Sequence, residues 1–188
     1  KEDKSWHWYY ATSILILTGL RFGELSALEI PDIDTKNLTI RISKTYDSIN
    51  DIVTTPKTDN SKRTIHIQPD LLLELKKCLL WRNEMMLANN IRSELLIPNI
   101  KTGEHMHIAG FEKYLRVTSE KLLGRRVTPH MLRHTHASLL SANGMTPDEI
   151  ARRLGHSKSA ITSKIYIHVT QKVIENDNRK IDQIKLFS

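Results

Sequence analysis

The sequence predicts an α+β fold, a mainly helical single domain interrupted by a small antiparallel β-sheet or hairpin. Apolar residues recur at helical spacing through most of the chain, whereas β-branched residues alternating with polar ones are found between residues 38 and 67. The length of 188 residues, with 39% hydrophobic and 26% charged side chains, is typical of one domain with its own core. Neither a repeat nor a linker divides the chain.

Two helices are expected before the sheet. The first covers Ser5–Gly19, where apolar residues fall at i, i+4 and i+7 and a glycine stands where the helix should end. The second is a short helix at Phe22–Leu28, which the Pro31-Asp32 turn brings to an end.

The strands are expected in the next 40 residues. Leu38–Ser43 and Arg63–Ile67 both alternate with period two, and the polar turn Thr58–Ser61 before the second strand predicts a hairpin. Asp51–Thr55 is a candidate for a strand between them.

After Pro69 the pattern becomes helical again. A long helix ends near Asn89, with one apolar face formed by Leu72, Leu75, Leu79 and Met86. Five further helices are predicted at Ala109–Leu123, His130–Ala142, Pro147–Leu154, Ser159–His168 and Lys172–Ile184.

The net charge of +7 is unevenly distributed along the chain. Residues 1–120 carry 16 basic and 16 acidic side chains, whereas residues 121–188 carry 12 basic and 5 acidic ones, so 12 − 5 = +7 resides in the last 68 residues. A basic part beside a neutral part indicates a surface that binds a polyanion, nucleic acid first and an anionic membrane second.

Several classes of protein are excluded. The single cysteine, Cys78, cannot form an internal disulfide or a thiolate cluster, which favours a reducing, cytoplasmic setting. No apolar run approaches the roughly 18 residues of a membrane span, and no signal peptide begins the chain. His130 and His134 have the spacing of a zinc helix but lack its glutamate, and Gly-rich phosphate loops are absent, so neither metal nor cofactor is expected. The first residue is Lys, as in a piece of a longer protein.

Two groups suit a phosphate. His130 and Arg133 are three residues apart in the first turn of a helix that begins at Pro129, where backbone N–H donors also favour an anion. Arg21 lies between two glycines that allow close backbone approach, and Glu24 could orient its guanidinium or cap the next helix. A solvated His–Arg pair and a surface Arg–Glu pair are the alternatives.

A hairpin lysine and a late tyrosine suit proton transfer and nucleophilic attack. Lys57 lies on the hairpin, from which it could reach a bound ligand and donate a proton, although such lysines are usually just solvated. Tyr166 follows His156 by ten residues. A phenol has a pKa of about 10 and needs cationic neighbours to act as a nucleophile, and packing in a helix is its alternative role.

In chain order these groups resemble the catalytic domain of tyrosine recombinases, the family of phage and conjugative-transposon integrases. The matching motifs are Thr18-Gly-Leu-Arg-x-Gly-Glu-Leu25, Lys57 on the hairpin, His130-x-x-Arg133, Leu154-Gly-His156, and Tyr166 followed by His168. The resemblance runs from about Trp6 to Val169. It implies that family's catalytic-domain fold over residues 1–170, followed by a helical tail at 171–188 that can dock on a neighbouring subunit.

The resemblance implies a role for each residue at the scissile phosphate of DNA. Arg21 and Arg133 would hold the non-bridging oxygens and His156 would hydrogen-bond the phosphate, with Glu24 in support. These groups would act without ATP or metal.

It further implies how the strand is cut. Tyr166 would attack phosphorus to give a 3′-phosphotyrosyl link, and His130 would act in proton transfer with the tyrosine. Lys57 would protonate the 5′-oxygen that leaves, and Lys62 on the same hairpin is the alternative general acid.

The family's partners are expected as well. The expected partner is double-stranded DNA. The full-length protein, with N-terminal DNA-binding domains, is expected to form a homo-tetramer on two DNA sites, and accessory DNA-bending or excision factors can assist it. No association with a membrane is expected.

Two other functions are compatible with parts of the sequence. Pro147–Lys164 resembles a helix-turn-helix with Ser159–His168 as its recognition helix, which would fit a non-enzymatic DNA-binding regulator. That reading leaves Arg21, the hairpin lysine and His130-x-x-Arg133 without a role. A type IB topoisomerase would share the phosphotyrosine chemistry but only relax supercoils.

Overall fold

A computed structural model describes residues 5–55 and 61–156. Its elements, in chain order, are α1 (Trp6–Thr18), α2 (Phe22–Ser26), a 3₁₀ turn (Ile30–Asp32), β1 (Ile33–Asp34), β2 (Thr39–Ile42), β3 (Thr45–Asp47), β4 (Ile52–Thr54), β5 (Arg63–His66), α3 (Pro69–Ala88), α4 (Ile108–Leu123), α5 (Pro129–Ala142) and α6 (Pro147–Leu154). The helices predicted at Ser159–His168 and Lys172–Ile184 lie outside the described residues.

Helix α1 ends where the sequence places a glycine. Gly19 has φ +70°, a left-handed conformation that closes the helix, and its N–H donates to the Leu15 carbonyl at 2.9 Å. A Cβ at this position would lie 2.6 Å from ring carbon Cδ2 of His136 and 2.6 Å from Cδ2 of Leu154. The glycine therefore lets α1 approach α5 and α6 closely, and the chain then turns into Arg21.

The strands form two separate sheets. β1, β2 and β5 make a three-stranded antiparallel sheet in the order β1-β2-β5, with Ile40 opposite Ile65. The strand expected within Asp51–Thr55 is present as β4, but it pairs with β3 in a two-stranded sheet and does not lie beside β2 or β5. Ile52 and Val53 are exposed, whereas Ile40 and Ile65 are buried, so β4 has no apolar face to bury beside β2.

The main core lies between helices α1, α3 and α4 and the three-stranded sheet. Its largest fully buried side chains include Ile14, Leu15, Ile40, Leu75 and Phe111. The buried face of α3 consists of Leu71, Leu75, Cys78 and Arg82. The apolar face predicted for this helix is thus rotated, with Leu72 and Leu79 only partly buried at its edge.

Helices α5 and α6 form the other side of the molecule. α5 packs along α1, and α6 packs against both α5 and β5. A smaller cluster of Ala137, Ile150 and Leu154 joins α5 to α6. Within residues 5–55 and 61–156 no helix is long and apolar enough to cross a bilayer.

Candidate active site

Arg21 lies between α1 and α2, and the buried Glu24 side chain of α2 hydrogen-bonds it. The Glu24 carboxylate accepts the Arg21 backbone N–H at 2.9 Å and Nη1 of the Arg21 guanidinium at 3.0 Å. Glu24 is buried, with 3% of its side chain exposed, whereas the Arg21 side chain is 42% exposed. Both roles considered for Glu24 are therefore present, since it caps α2 and fixes the guanidinium that faces solvent. The alternative of a solvent-exposed Arg21–Glu24 surface pair is therefore wrong, because the carboxylate is buried.

A second arginine, which the sequence analysis missed, binds the same carboxylate. Arg63, the first residue of β5, donates Nη1 to Oε1 of Glu24 at 3.1 Å and Nη2 to Oε2 at 2.9 Å. Only 6% of its side chain is exposed. Burial alone would raise the pKa of Glu24, but the hydrogen bonds and charge of Arg63, with those of Arg21, lower it below its ordinary value.

The position of Arg63 in the strand carries a signal that could have revealed it. Arg63 is in phase with Ile65 and Ile67, both of which are buried. Residues two apart in a strand share one face, so a charged residue at this place points to the interior and needs a buried partner.

Arg133 is also buried, with 7% of the residue exposed. Its Nη1 donates to the Gly19 carbonyl at 2.6 Å and its Nη2 to the Leu154 carbonyl at 2.7 Å, so one guanidinium ties the ends of α1 and α6 together. Burial lowers the pKa of Arg133 to about 9; the charges of Arg21 and Arg63 lower it too, and Glu24 opposes them. The side chain is charged at pH 7, and a solvated His–Arg pair is excluded for it.

His130 lies one helical turn before Arg133, in the first turn of α5, and is exposed. The turn begins at Thr128, whose hydroxyl accepts the Met131 N–H. This end of α5 therefore has the capped N-terminus that the sequence predicts.

His156 follows α6 directly and is half-buried. Gly155 ends α6 with φ +70°, and the His156 N–H donates to the Ala151 carbonyl at 3.0 Å. Burial lowers the pKa of His156 to about 4, with further lowering by the charges of Arg133, Arg21, Arg63 and His134 in that order. The imidazole is thus neutral at pH 7 and lies close to three guanidinium groups.

A further pair, also missed, supports the site from the side of α5. His136 is buried, and its Nε2 accepts Nε of Arg153 at 3.1 Å. Nδ1 therefore carries the hydrogen, which it donates to the Ile16 carbonyl at 2.9 Å. Arg153 also donates to the His66 carbonyl of β5 at 3.4 Å.

Four of the predicted site residues thus come together, namely Arg21, Glu24, Arg133 and His156. Arg21 and Arg63 share the buried Glu24 carboxylate, and Arg133 adds a third guanidinium that is held by backbone carbonyls. The excess of positive charge suits a phosphodiester. Lys57 and Tyr166 lie outside the described residues, whereas Lys62 is exposed beside the start of β5. In the part of the chain that the structure describes, no three His, Cys, Asp or Glu side chains could hold a metal ion.

Comparisons with known proteins point in one direction. The family model described as "Phage integrase family" matches residues 2–172. The chain is 34% identical over 181 residues to an integrase of Staphylococcus phage L54a, covering 93% of this chain and 51% of the relative. It is 28% identical over 182 residues to the transposase of transposon Tn916 from Enterococcus faecalis, covering 90% and 44%. The chain therefore spans about half the length of the curated relatives it matches.

Solved structures share the fold. The Tn1549 transposon integrase in complex with transposon right end DNA superimposes with a TM-score of 0.71 at 23% identity, covering 93% of this chain and 60% of that one. The XerA recombinase gives a TM-score of 0.70 at 24% identity, covering 95% and 57%.

Proposed function

Because the chain belongs to the phage integrase family, we propose that it is the catalytic part of a site-specific DNA recombinase that integrates or excises a mobile element. The resemblance found in the sequence and the α+β fold expected from it are both confirmed. We assign residues 1–170 to the catalytic domain and residues 171–188 to a helical tail that docks on a neighbouring subunit.

The observation that carries the proposal is the grouping of Arg21, which buried Glu24 holds, with Arg133 and His156. Arg21 and Arg133 hold the two non-bridging oxygens of the scissile phosphate. Arg133 uses two of its five N–H groups on carbonyls of the protein, which leaves donors for an oxygen. His156 is neutral at pH 7 and contributes one N–H to the phosphate.

The strand is cut by transfer of the phosphate to Tyr166. Its oxygen bonds to phosphorus while the bond from phosphorus to the 5′-oxygen breaks, and His130 takes up the phenol proton. Lys57 gives a proton to the 5′-oxygen as it leaves. The free energy of the broken ester is kept in the 3′-phosphotyrosyl link, so the reverse reaction joins a new strand without ATP or metal.

The partner that fits this chemistry is double-stranded DNA in the cytoplasm. The Tn1549 integrase was solved with transposon DNA, and the XerH recombinase with a palindromic difH substrate. Two duplexes must be cut and exchanged, so the full-length protein acts as a homo-tetramer on two sites, assisted by DNA-bending or excision factors.

The test is covalent capture on DNA. Full-length recombinase is incubated with a nicked duplex carrying its own core site, without metal and with EDTA, and a protein–DNA adduct is expected. Tyr166→Phe removes the attacking oxygen and should abolish the adduct. An adduct that survives this change, or none from the wild type, contradicts the proposal. Relaxation of supercoils without strand exchange would favour a type IB topoisomerase, and sequence-specific binding by residues 145–170 alone would favour the helix-turn-helix regulator.

The choice between Lys57 and Lys62 is tested with a better leaving group. Each lysine is replaced by alanine, and cleavage is compared on an ordinary substrate and on one with a 5′-phosphorothiolate at the scissile position. We expect Lys57→Ala to be slow on the ordinary substrate and rescued by sulfur, because a thiolate leaves without a proton. Rescue of Lys62→Ala instead would reassign the general acid.

A further inference from the structure

We propose that Arg63 is a positioning residue for strand cleavage, one that orients Arg21 through Glu24 and joins the start of β5 to the end of α6. The inference rests on the proposed function, because it names a further residue of the same site. Arg63 ends the segment that carries Lys57, and the predicted site assigns it no role.

Arg63 cannot itself be the phosphate ligand. Its guanidinium makes four hydrogen bonds within the protein, two to the carboxylate oxygens of Glu24, one to the Arg153 carbonyl and one to the Ser61 carbonyl. These use four of its five N–H groups, and the side chain is almost entirely buried. Any effect on catalysis must therefore pass through its partners.

The first partner leads to Arg21. Each oxygen of the Glu24 carboxylate receives one hydrogen bond from Arg21 and one from Arg63. Without Arg63, Arg21 would be the one cation among the described residues that hydrogen-bonds this buried carboxylate. The carboxylate would then draw the Arg21 guanidinium inward to satisfy both oxygens. With Arg63 in place, Arg21 binds Glu24 through a single Nη and directs the rest of its fork outward.

The second partner leads to the two edges of the site. Nε of Arg63 donates to the Arg153 carbonyl at 2.7 Å, and the Arg153 guanidinium donates back to the His66 carbonyl. β5 and α6 are thus joined by two arginines in opposite directions. Arg63 lies six residues after Lys57, and Arg153 lies three residues before His156. One buried side chain therefore fixes the start of β5 and the end of α6, which His156 follows.

The experiment compares Arg63→Met with the wild type in the full-length recombinase, using single-turnover adduct formation on the nicked core-site duplex. We expect cleavage about 100-fold slower, the loss typical of one misplaced transition-state donor, with DNA binding changed less than twofold. Arg82→Met is the matched control, because Arg82 is also buried and donates to the Leu95 and Ser93 carbonyls at another place in the fold. It should cleave at the wild-type rate per folded molecule.

A second substrate separates positioning of Arg21 from general damage. A methylphosphonate at the scissile position has a methyl group in place of one anionic oxygen, so its cleavage depends less on the positive charge of the Arg21 guanidinium. The defect of Arg63→Met should therefore shrink to about tenfold or less on this substrate. If Arg63→Met does not fold, Arg63→Lys keeps the cation but loses the fork, and the same two results are expected of it.

Three outcomes are distinguishable. If the wild type forms no adduct, the proposed function itself fails. If the wild type cleaves and folded Arg63 variants cleave equally fast, Arg63 has no positioning role. If they are equally defective on both substrates, or if Arg82→Met is equally slow, the effect is structural and the inference is overturned.

Discussion

Glu24 and His136 are both buried, and burial together with the neighbouring charges decides the protonation state of each. Glu24 is surrounded by two guanidiniums and stays ionised in spite of its burial. His136 has the opposite environment, because burial lowers its pKa from 6.5 to about 4, with the charge of Arg153 next in importance. Both groups gain their hydrogen bonds only in the folded chain, so each links stability to pH.

The first prediction at this scale concerns acid. An unfolded His136 takes up a proton as the pH falls below about 6.5, whereas the folded protein keeps it neutral down to about 4. The unfolded state therefore binds more protons in this window, and the free energy of unfolding should fall as the pH falls from 6.5 to 4. His156, whose pKa is also lowered to about 4, should act in the same direction.

Urea unfolding of the 188-residue chain at several pH values measures this slope. His136→Gln should reduce it, because glutamine offers an acceptor to Arg153 but does not titrate. His134→Gln, on the same helix but exposed, should change the slope less than His136→Gln does. A slope that is unaffected by His136→Gln would show that other groups carry the acid sensitivity.

Residue spacing predicted part of the site and missed the rest for a physical reason. The spacing of His130 and Arg133 and the glycines around Arg21 are local, so they can be found in the sequence. Arg63 joins Glu24 across 39 positions and the Arg153 carbonyl across 90, and the second acceptor is a backbone group that every residue carries. Such a partnership leaves no motif in the sequence.

Among the elements, the helices were predictable because their ends are set by local chemistry. Pro129 and Pro147 begin α5 and α6, and left-handed glycines end α1, α4 and α6. The strands were harder, since Tyr46 of β3 pairs with Val53 of β4 in a separate sheet. β3 and β4 have three residues each, which is too few for an alternating pattern to be recognised.

Gly19 provides the prediction at the scale of elements. Gly19→Ala combines a left-handed backbone with a Cβ 2.6 Å from side-chain carbons of His136 and Leu154. We expect the free energy of unfolding to fall by about 2–5 kcal/mol, since the left-handed conformation costs about 1–2 kcal/mol and the overpacking about 1–3 kcal/mol. The closest match is Gly144→Ala, where φ is +85° but nothing lies within 4 Å of the added carbon, so only the backbone cost of about 1–2 kcal/mol should appear.

Chemical denaturation of the two variants makes the comparison. If both lose the same stability, the junction of α1 with α5 and α6 yields to the extra methyl group. A loss that is clearly larger at Gly19 would show that this junction is rigid, and with it the position of Arg21.

Across the whole molecule, charge and chemistry are divided differently. The net charge of +7 belongs to residues 121–188, yet Arg21, Glu24 and Arg63 come from the first 120 residues, whose charges cancel. Arg133 and His156 come from the basic part. Charge arithmetic therefore indicates a polyanion-binding surface but not the site, which is assembled from segments that only the fold brings together.

The two carbonyls that bind Arg133 also affect when the site forms during folding. They belong to residues 114 positions before Arg133 and 21 positions after it, so the guanidinium has no fixed place until both ends of the domain have met. A nascent or partly unfolded chain consequently lacks the arrangement of Arg21, Arg133 and His156 that is proposed to bind a phosphate. Under the proposed function, the contact that positions Arg133 therefore makes strand cleavage depend on completed folding of the domain.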